Sequence, residues 1–146
     1  MRVTTKGRYA LRAVANLAAS RSDRPVSIKQ IAEEEDISPE FLEQIFFRLK
    51  KAGIIRSVRG PGGGFVLAKD PNEITIQDIF LAVGEGVKLT PCSNCSKIEK
   101  EKDPGCPRMD TCPIHEVWIE VSKGVSEILT SYTLDKIIDR KLVSNW

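Results

Sequence analysis

The run Arg59-Gly-Pro-Gly-Gly-Gly64 limits what this chain can fold into more than any other stretch of it. Four glycines and a proline in five positions carry too much backbone freedom, and too few regular donors, to continue a helix or a central strand. On either side stand short β-prone runs, Ile54-Ile-Arg-Ser-Val-Arg59 and Phe65-Val-Leu-Ala68. The whole reads as a β-hairpin with a long glycine-rich tip.

What precedes the hairpin reads as helix. From Thr5 to about Ala19, the residues Tyr9, Ala10, Ala13, Val14, Leu17 and Ala18 recur at helical spacing, with Arg8 and Arg12 on another face. Ser27-Ile-Lys-Gln30 has the form of a capping box and opens a short helix to about Glu34. Ser38-Pro39 supplies an N-cap and a proline at the first helical position. The third helix that begins there buries Leu42, Ile45, Phe46 and Leu49 and ends at Gly53. Helix, helix, helix, hairpin is the winged-helix order. The predicted fold is mainly α with a small β-hairpin wing: a winged helix-turn-helix domain plus a long C-terminal helix.

Thr75-Ile-Gln-Asp78 caps a fourth helix to about Val83, and regular structure is then interrupted from Gly84 to Thr111. Pro113 starts the last long helix. Along it Ile114, Trp118, Val121, Val125, Ile128 and Tyr132 are spaced 4, 3, 4, 3, 4. That heptad seam needs an apolar partner surface, and a second copy of the chain would serve. The expected organisation is a head over residues 1–83, a cysteine-rich loop over 84–112, and a dimerisation helix with C-terminal segment over 113–146.

At 146 residues the chain suffices for one cored domain and an appendage. Its net charge of +2 conceals an asymmetry: residues 1–70 hold 13 Lys and Arg against 8 Asp and Glu, residues 71–146 hold 9 against 12. A basic first half fits a surface that meets a polyanion. Met1-Arg-Val-Thr-Thr-Lys-Gly-Arg8 runs into an amphipathic pattern without an apolar leader, and no apolar stretch reaches bilayer-spanning length. A cytoplasmic protein with no membrane partner is expected, and in that reducing compartment four cysteines serve as ligands or sensors in preference to disulfides.

Residues 27–51 have helix-turn-helix proportions, with a tight Glu35-Asp-Ile37 connection. Glu40, Glu43 and Gln44 lie outward near the start of the third helix, with Ser38 and Arg48 on either side. Glutamine bonds adenine bidentately and glutamate accepts from cytosine N4, so these side chains suit base edges. The hairpin tip adds Arg59, which fits a narrow minor groove, and Gly60, Pro61, Gly62 and Gly63, whose backbone can approach a phosphate closely. A nucleotide loop is excluded because no Lys-Ser or Lys-Thr follows the glycines at Walker spacing. With no small-molecule substrate indicated and one histidine lacking an Asn or Asp orienter, an enzyme is not expected.

Cys92, Cys95, Cys106, Cys112 and His115 fall within 24 residues. Thiolates and imidazole are the softer protein ligands and suit zinc or an iron-sulfur centre, not magnesium or calcium. Spacing does not choose between the two metals: Cys92-x2-Cys95 has zinc-pair form, whereas Cys106-x5-Cys112-x2-His115 does not.

Taken together, Thr5-Lys-Gly-Arg-Tyr-Ala10, Phe41-Leu-Glu-Gln44, Val58-Arg-Gly-Pro-Gly-Gly-Gly-Phe65 and Cys106-x5-Cys112-x2-His115 resemble the signatures of the IscR-like family of winged-helix transcription regulators. The likeness runs from Met1 to about Tyr132. It implies a homodimer whose C-terminal helices cross, each subunit holding a 2Fe-2S cluster through three cysteines and a histidine. On this chain those would be Cys92, Cys106, Cys112 and His115, with Cys95 competing for the first position. It also implies that Glu43 and Gln44 read bases, that Arg59 enters the minor groove beside Gly60 to Gly63, and that Lys6 and Arg8 contact phosphates. The matching glutamate in that family sets operator class according to cluster occupancy, which gives Glu43 special interest. Glu40 departs from the small polar residue of the family pattern. The alternatives to this regulator are a zinc-stapled winged-helix module that binds a protein partner, and a cluster-free repressor that senses thiol oxidation.

Overall fold

The computed structural model describes residues 3–20, 24–87, 89–90, 106–108 and 110–143. The chain order is α1 (Thr5–Ala19), α2 (Ile28–Glu35), α3 (Pro39–Lys51), β1 (Ile55–Val58), β2 (Gly64–Leu67), a 3-10 turn (Pro71–Glu73), α4 (Ile76–Ala82), α5 (His115–Ser131) and α6 (Leu134–Val143). Three helices followed by a hairpin stand where the apolar periodicity and the glycine run require them.

Local chemistry sets the ends. Ser38 accepts from the Phe41 N–H at 3.3 Å, and Thr75 and Asp78 form a reciprocal capping box at α4. The box expected at Ser27 is only half made. Ser27 accepts from the Gln30 N–H at 3.1 Å, but the Gln30 side chain donates onward to Glu34 at 2.9 Å. Asp36, at φ 53°, turns the chain between α2 and α3 and sends buried Ile37 under both helices. Arg12 fastens α1 to the end of α2 through the Glu35 carboxylate at 3.0 Å and its carbonyl at 2.6 Å.

The hairpin pairs Ile55 with Leu67 through Val58 with Gly64, antiparallel. At the tip, Gly60 and Gly62 have φ of 104° and 72°, and the Gly63 N–H donates to the Gly60 carbonyl at 2.9 Å. Those left-handed positions are what the glycines provide. Val26 bonds both ways with Phe65, at 3.0 and 2.8 Å, adding a short third segment beside β2.

One core gathers Val14, Ile31, Leu42, Ile45, Phe46, Leu49, Ile55, Ile74, Ile79, Val83 and Leu134, all essentially sealed from solvent. Phe46 meets Phe65 edge to face at 4.9 Å, locking the hairpin onto α3. Leu134 of α6 belongs to this core and Ile138 is buried as well, so α6 folds back onto the head.

The C-terminal region differs from expectation in two respects. Helix α5 begins at His115, not Pro113, because Cys112 to His115 first makes a turn in which the His115 N–H donates to the Cys112 carbonyl at 3.2 Å. The helix also stops at Ser131, and Tyr132 is extended at φ −98°, ψ 105°. Tyr132 therefore lies beyond the helical seam. Its carbonyl accepts from the Ile76 N–H at 3.0 Å, and the Leu134 N–H donates to Ile74 at 2.9 Å. These tertiary bonds to the start of α4 end the predicted helix before Tyr132, and the C-terminal segment forms a helix of its own, α6. Among the described residues no helix is long and apolar enough to cross a membrane.

Candidate DNA interface and metal ligands

The helix-turn-helix geometry leaves one side of α3 free. Glu40, Glu43, Gln44, Phe47 and Arg48 line a shallow concavity on it, and each is exposed. Ser38 is exposed at its N-cap. Positions 40, 43, 44, 47 and 48 recur at three and four, so they form one continuous face opposite the buried stripe. Phe47 was not anticipated, because it lies outside the apolar period that points to the core. It is 70% exposed. Its position four residues after Glu43 and three after Gln44 is the signal that places it among them. An apolar ring amid hydrogen-bonding side chains suits a thymine methyl.

The wing and the start of α1 supply cations. Arg59, Gly60, Pro61 and Gly62 are exposed at the hairpin tip and Gly63 is half-buried. Lys6 is half-buried, and Arg8 is exposed with its guanidinium donating to the Thr5 hydroxyl at 3.3 Å. The last turn of α3 adds Arg48, Lys50 and Lys51.

For the metal ligands the picture is partial. Cys106 and Cys112 are free, half-buried thiols. His115 is half-buried at the first residue of α5, and its Nδ1 is enclosed with no hydrogen-bond partner among the described residues. Cys92 and Cys95 lie outside the described residues. Among the described residues no three His, Cys, Asp or Glu side chains are gathered as a metal site, so Cys106, Cys112 and His115 are near in sequence without converging. The donor set still fits a soft metal centre. An enclosed imidazole nitrogen left without a bond is costly unless something takes its lone pair or proton.

On α5, the third expected surface, Ile114, Val117, Trp118, Ile119, Val121 and Ile128 are exposed, Val125 is half-buried, and no residue of the helix is buried. An amphipathic helix of 17 residues gains little from propensity alone and depends on covering such a face.

Comparison with known proteins decides the lineage. The family model Rrf2, described as an iron-dependent transcriptional regulator, matches residues 3–140. This chain belongs to the Rrf2 family. It is 39% identical over 143 residues to the HTH-type transcriptional regulator IscR of Pectobacterium carotovorum subsp. carotovorum strain PC1, covering 98% of this chain and 82% of that one. The like-named protein of Yersinia enterocolitica is 40% identical over 141 residues, covering 97% and 81%. Among solved structures, CymR, the global cysteine regulator of B. subtilis, matches with a TM-score of 0.74 at 29% identity, covering 96% of this chain and 98% of that one. T. potens IscR matches at 0.70 and 34% identity, covering 96% and 88%. The protein is a helix-turn-helix transcriptional regulator of the IscR-like kind that binds DNA, and it is not an enzyme.

Proposed function

We propose that this regulator works as a homodimer whose DNA grip responds to a 2Fe-2S cluster held by Cys92, Cys106, Cys112 and His115, with Cys95 the competitor for the first position. The enclosed, unbonded Nδ1 of His115 carries the reading. It stands three residues after Cys112 at the head of a helix, in a chain nearly 40% identical to proteins named IscR. A bound cluster supplies a redox-active centre whose assembly and loss report on iron, oxidants or cluster supply.

The chain's own residues do the rest. In this reading residues 1–83 hold the DNA, 84–112 carry most of the ligands and 113–146 pair the subunits. Glu43 and Gln44 read base edges, with Ser38, Glu40 and Arg48 flanking them on α3. Arg59 enters the minor groove while Gly60, Pro61, Gly62 and Gly63 let the wing backbone approach. Lys6 and Arg8 neutralise phosphates. Ile114, Trp118, Val121, Val125 and Ile128 meet their counterparts on a second copy, which the exposed apolar face of α5 supports. Tyr132 lies past the end of that seam.

Anaerobic purification tests the cofactor. A coloured preparation with iron and acid-labile sulfide, both lost in Cys112→Ala together with a change in operator preference, is the expected result. A colourless protein with stoichiometric zinc would refute it and favour a zinc-stapled module. A second reading has its own support: similarity extends to a structure described as the oxidized form of CymR from Staphylococcus aureus, at 30% identity and a TM-score of 0.68. A cluster-free thiol sensor is the outcome if metal-free protein changes its DNA affinity on oxidation and an all-serine cysteine variant does not.

A further inference from the structure

Helix α1 starts without the usual local help. Its N-cap, Thr4, accepts no bond through its side chain, and the first turn holds no acidic residue. The help comes from far along the chain. Glu85 accepts from the Thr4 N–H at 3.2 Å, from the Gly7 N–H at 3.0 Å, and from the Thr4 hydroxyl. Gly7 occupies the third helical position, so its amide is one of the donors a helix leaves orphaned. Glu85 thus does what an N-cap side chain would do, and places a full negative charge at the positive end of the helix dipole.

The chain is shaped around this contact at both partners. Gly84, at φ 82°, closes α4: its N–H donates to the Leu81 carbonyl at 3.0 Å and the Glu85 N–H to the Phe80 carbonyl at 2.7 Å. That left-handed closure aims the next side chain at α1. On the other partner, a Cβ at position 7 would stand 2.2 Å from Oε2 and 2.9 Å from Cδ of Glu85. Glycine is a poor helix former, and here it leaves the carboxylate its seat.

We propose that Glu85 is a positioning residue for the DNA grip: it fixes the first turn of α1, and with it Lys6 and Arg8, at the setting from which they reach phosphates. The inference rests on the DNA-binding reading and adds to it a residue outside the helix-turn-helix and the wing. Simple electrostatics makes the opposite forecast. A carboxylate near phosphates repels them, so its removal would tighten binding; the clamp requires that removal weaken it.

The test uses the full chain and a labelled duplex that the parent protein selects from a random pool. Glu85→Ala should weaken binding by about 2- to 30-fold, the range of a lost N-cap. It should also lower the slope of log affinity against log salt by about one to two, as phosphate contacts are lost. A change in stability alone leaves that slope untouched. Glu85→Gln, whose amide oxygen still accepts, should fall between parent and alanine variant. Gly7→Ala should weaken binding in the parent and not in the Glu85→Ala background, where the added Cβ displaces nothing. Hydrogen exchange at the Gly7 amide should quicken in Glu85→Ala. Equal or tighter binding by Glu85→Ala at an unchanged slope, or the same effect of Gly7→Ala in both backgrounds, would overturn the proposal. Unaltered exchange at Gly7 would overturn the clamp alone, whereas a parent that binds no duplex would overturn the regulatory reading itself.

Discussion

Replacing Trp118 with alanine puts a number on the proposed pairing of α5 with a second copy. The residue is 38% exposed, on a helix with no buried residue. A tryptophan presents up to roughly 250 Å², so about 95 Å² of it stands open. At about 25 cal/mol per Å², covering that area is worth about 2.4 kcal/mol per subunit. In a two-fold interface every residue is lost twice. Allowing for what the alanine methyl still buries, the variant dimer is weaker by about 4 kcal/mol, or roughly three decades in Kd. The subunit's own core does not contain this ring, so helical content should hold. Sedimentation equilibrium over a wide concentration range, with circular dichroism on the same samples, reads both quantities. The expected result is a folded monomer where the parent is dimeric. A Trp118→Ala dimer as tight as the parent's would refute the argument, and so would simultaneous loss of helix and dimer, which would make the ring part of the subunit's own packing.

Arg59→Ala should cost about 1–3 kcal/mol on the preferred duplex, read by fluorescence titration, and equal binding by variant and parent would remove Arg59 from the groove. Glu43→Ala should alter the ranking of operators while leaving the salt slope near the parent's, since base contacts specify and phosphate contacts do not; an unchanged ranking counts against Glu43 as a reader. The Thr133 hydroxyl, donating to Asp135, holds that carboxyl below its ordinary value of 3.8. A depressed folded value means the contribution is present above 3.8 and is lost as pH falls through the folded value. Thr133→Ala should therefore move the Asp135 midpoint upward in a carboxyl NMR titration, and an unmoved midpoint would show that the hydroxyl is not its cause.

How legible each part was depends on how local its cause is. Helices α1 to α4 and the hairpin follow from signals inside each element: Ser38 and Thr75 as caps, the Leu42–Leu49 stripe, the glycine run at the tip. The break between α5 and α6 has no such signal. No glycine or proline separates Ser131 from Leu134, and the helix stops because Tyr132 and Thr133 bond to residues more than fifty positions earlier at the start of α4. The nearest local hint was Thr133 followed by Asp135, a cap-like pair now seen bonded. Phe47 escaped because an apolar residue off the core period belongs neither to the buried stripe nor to the polar face, and Glu85 because an N-cap supplied from elsewhere in the chain leaves no mark near the helix it serves. Of the proposed metal ligands, the residue types were plain in the sequence, but whether a loop brings them together depends on its path, which spacing does not encode.

The junctions between helices also suggest how the two halves of the proposed regulator communicate. His115 opens α5; the far end of α5 delivers the Tyr132 carbonyl to the Ile76 N–H and sets Thr133 against Thr75. Helix α4 runs from that joint to Gly84, and the next residue caps α1 beside Lys6 and Arg8. Each joint is made of helix-end groups, which have no partner inside their own helix and so resist slipping apart. Transmission also needs an element with two arrangements, because a close-packed core of residues such as Ile45 and Phe46 has one. Helix α5 is the candidate: none of its residues is buried, so in the proposed dimer the partner subunit and the ligand at its first turn would bear on its orientation. In that reading a change at His115 would reach the proposed phosphate contacts of Lys6 and Arg8 through the Tyr132 joint, α4 and Glu85, leaving the core around Phe46 as it is.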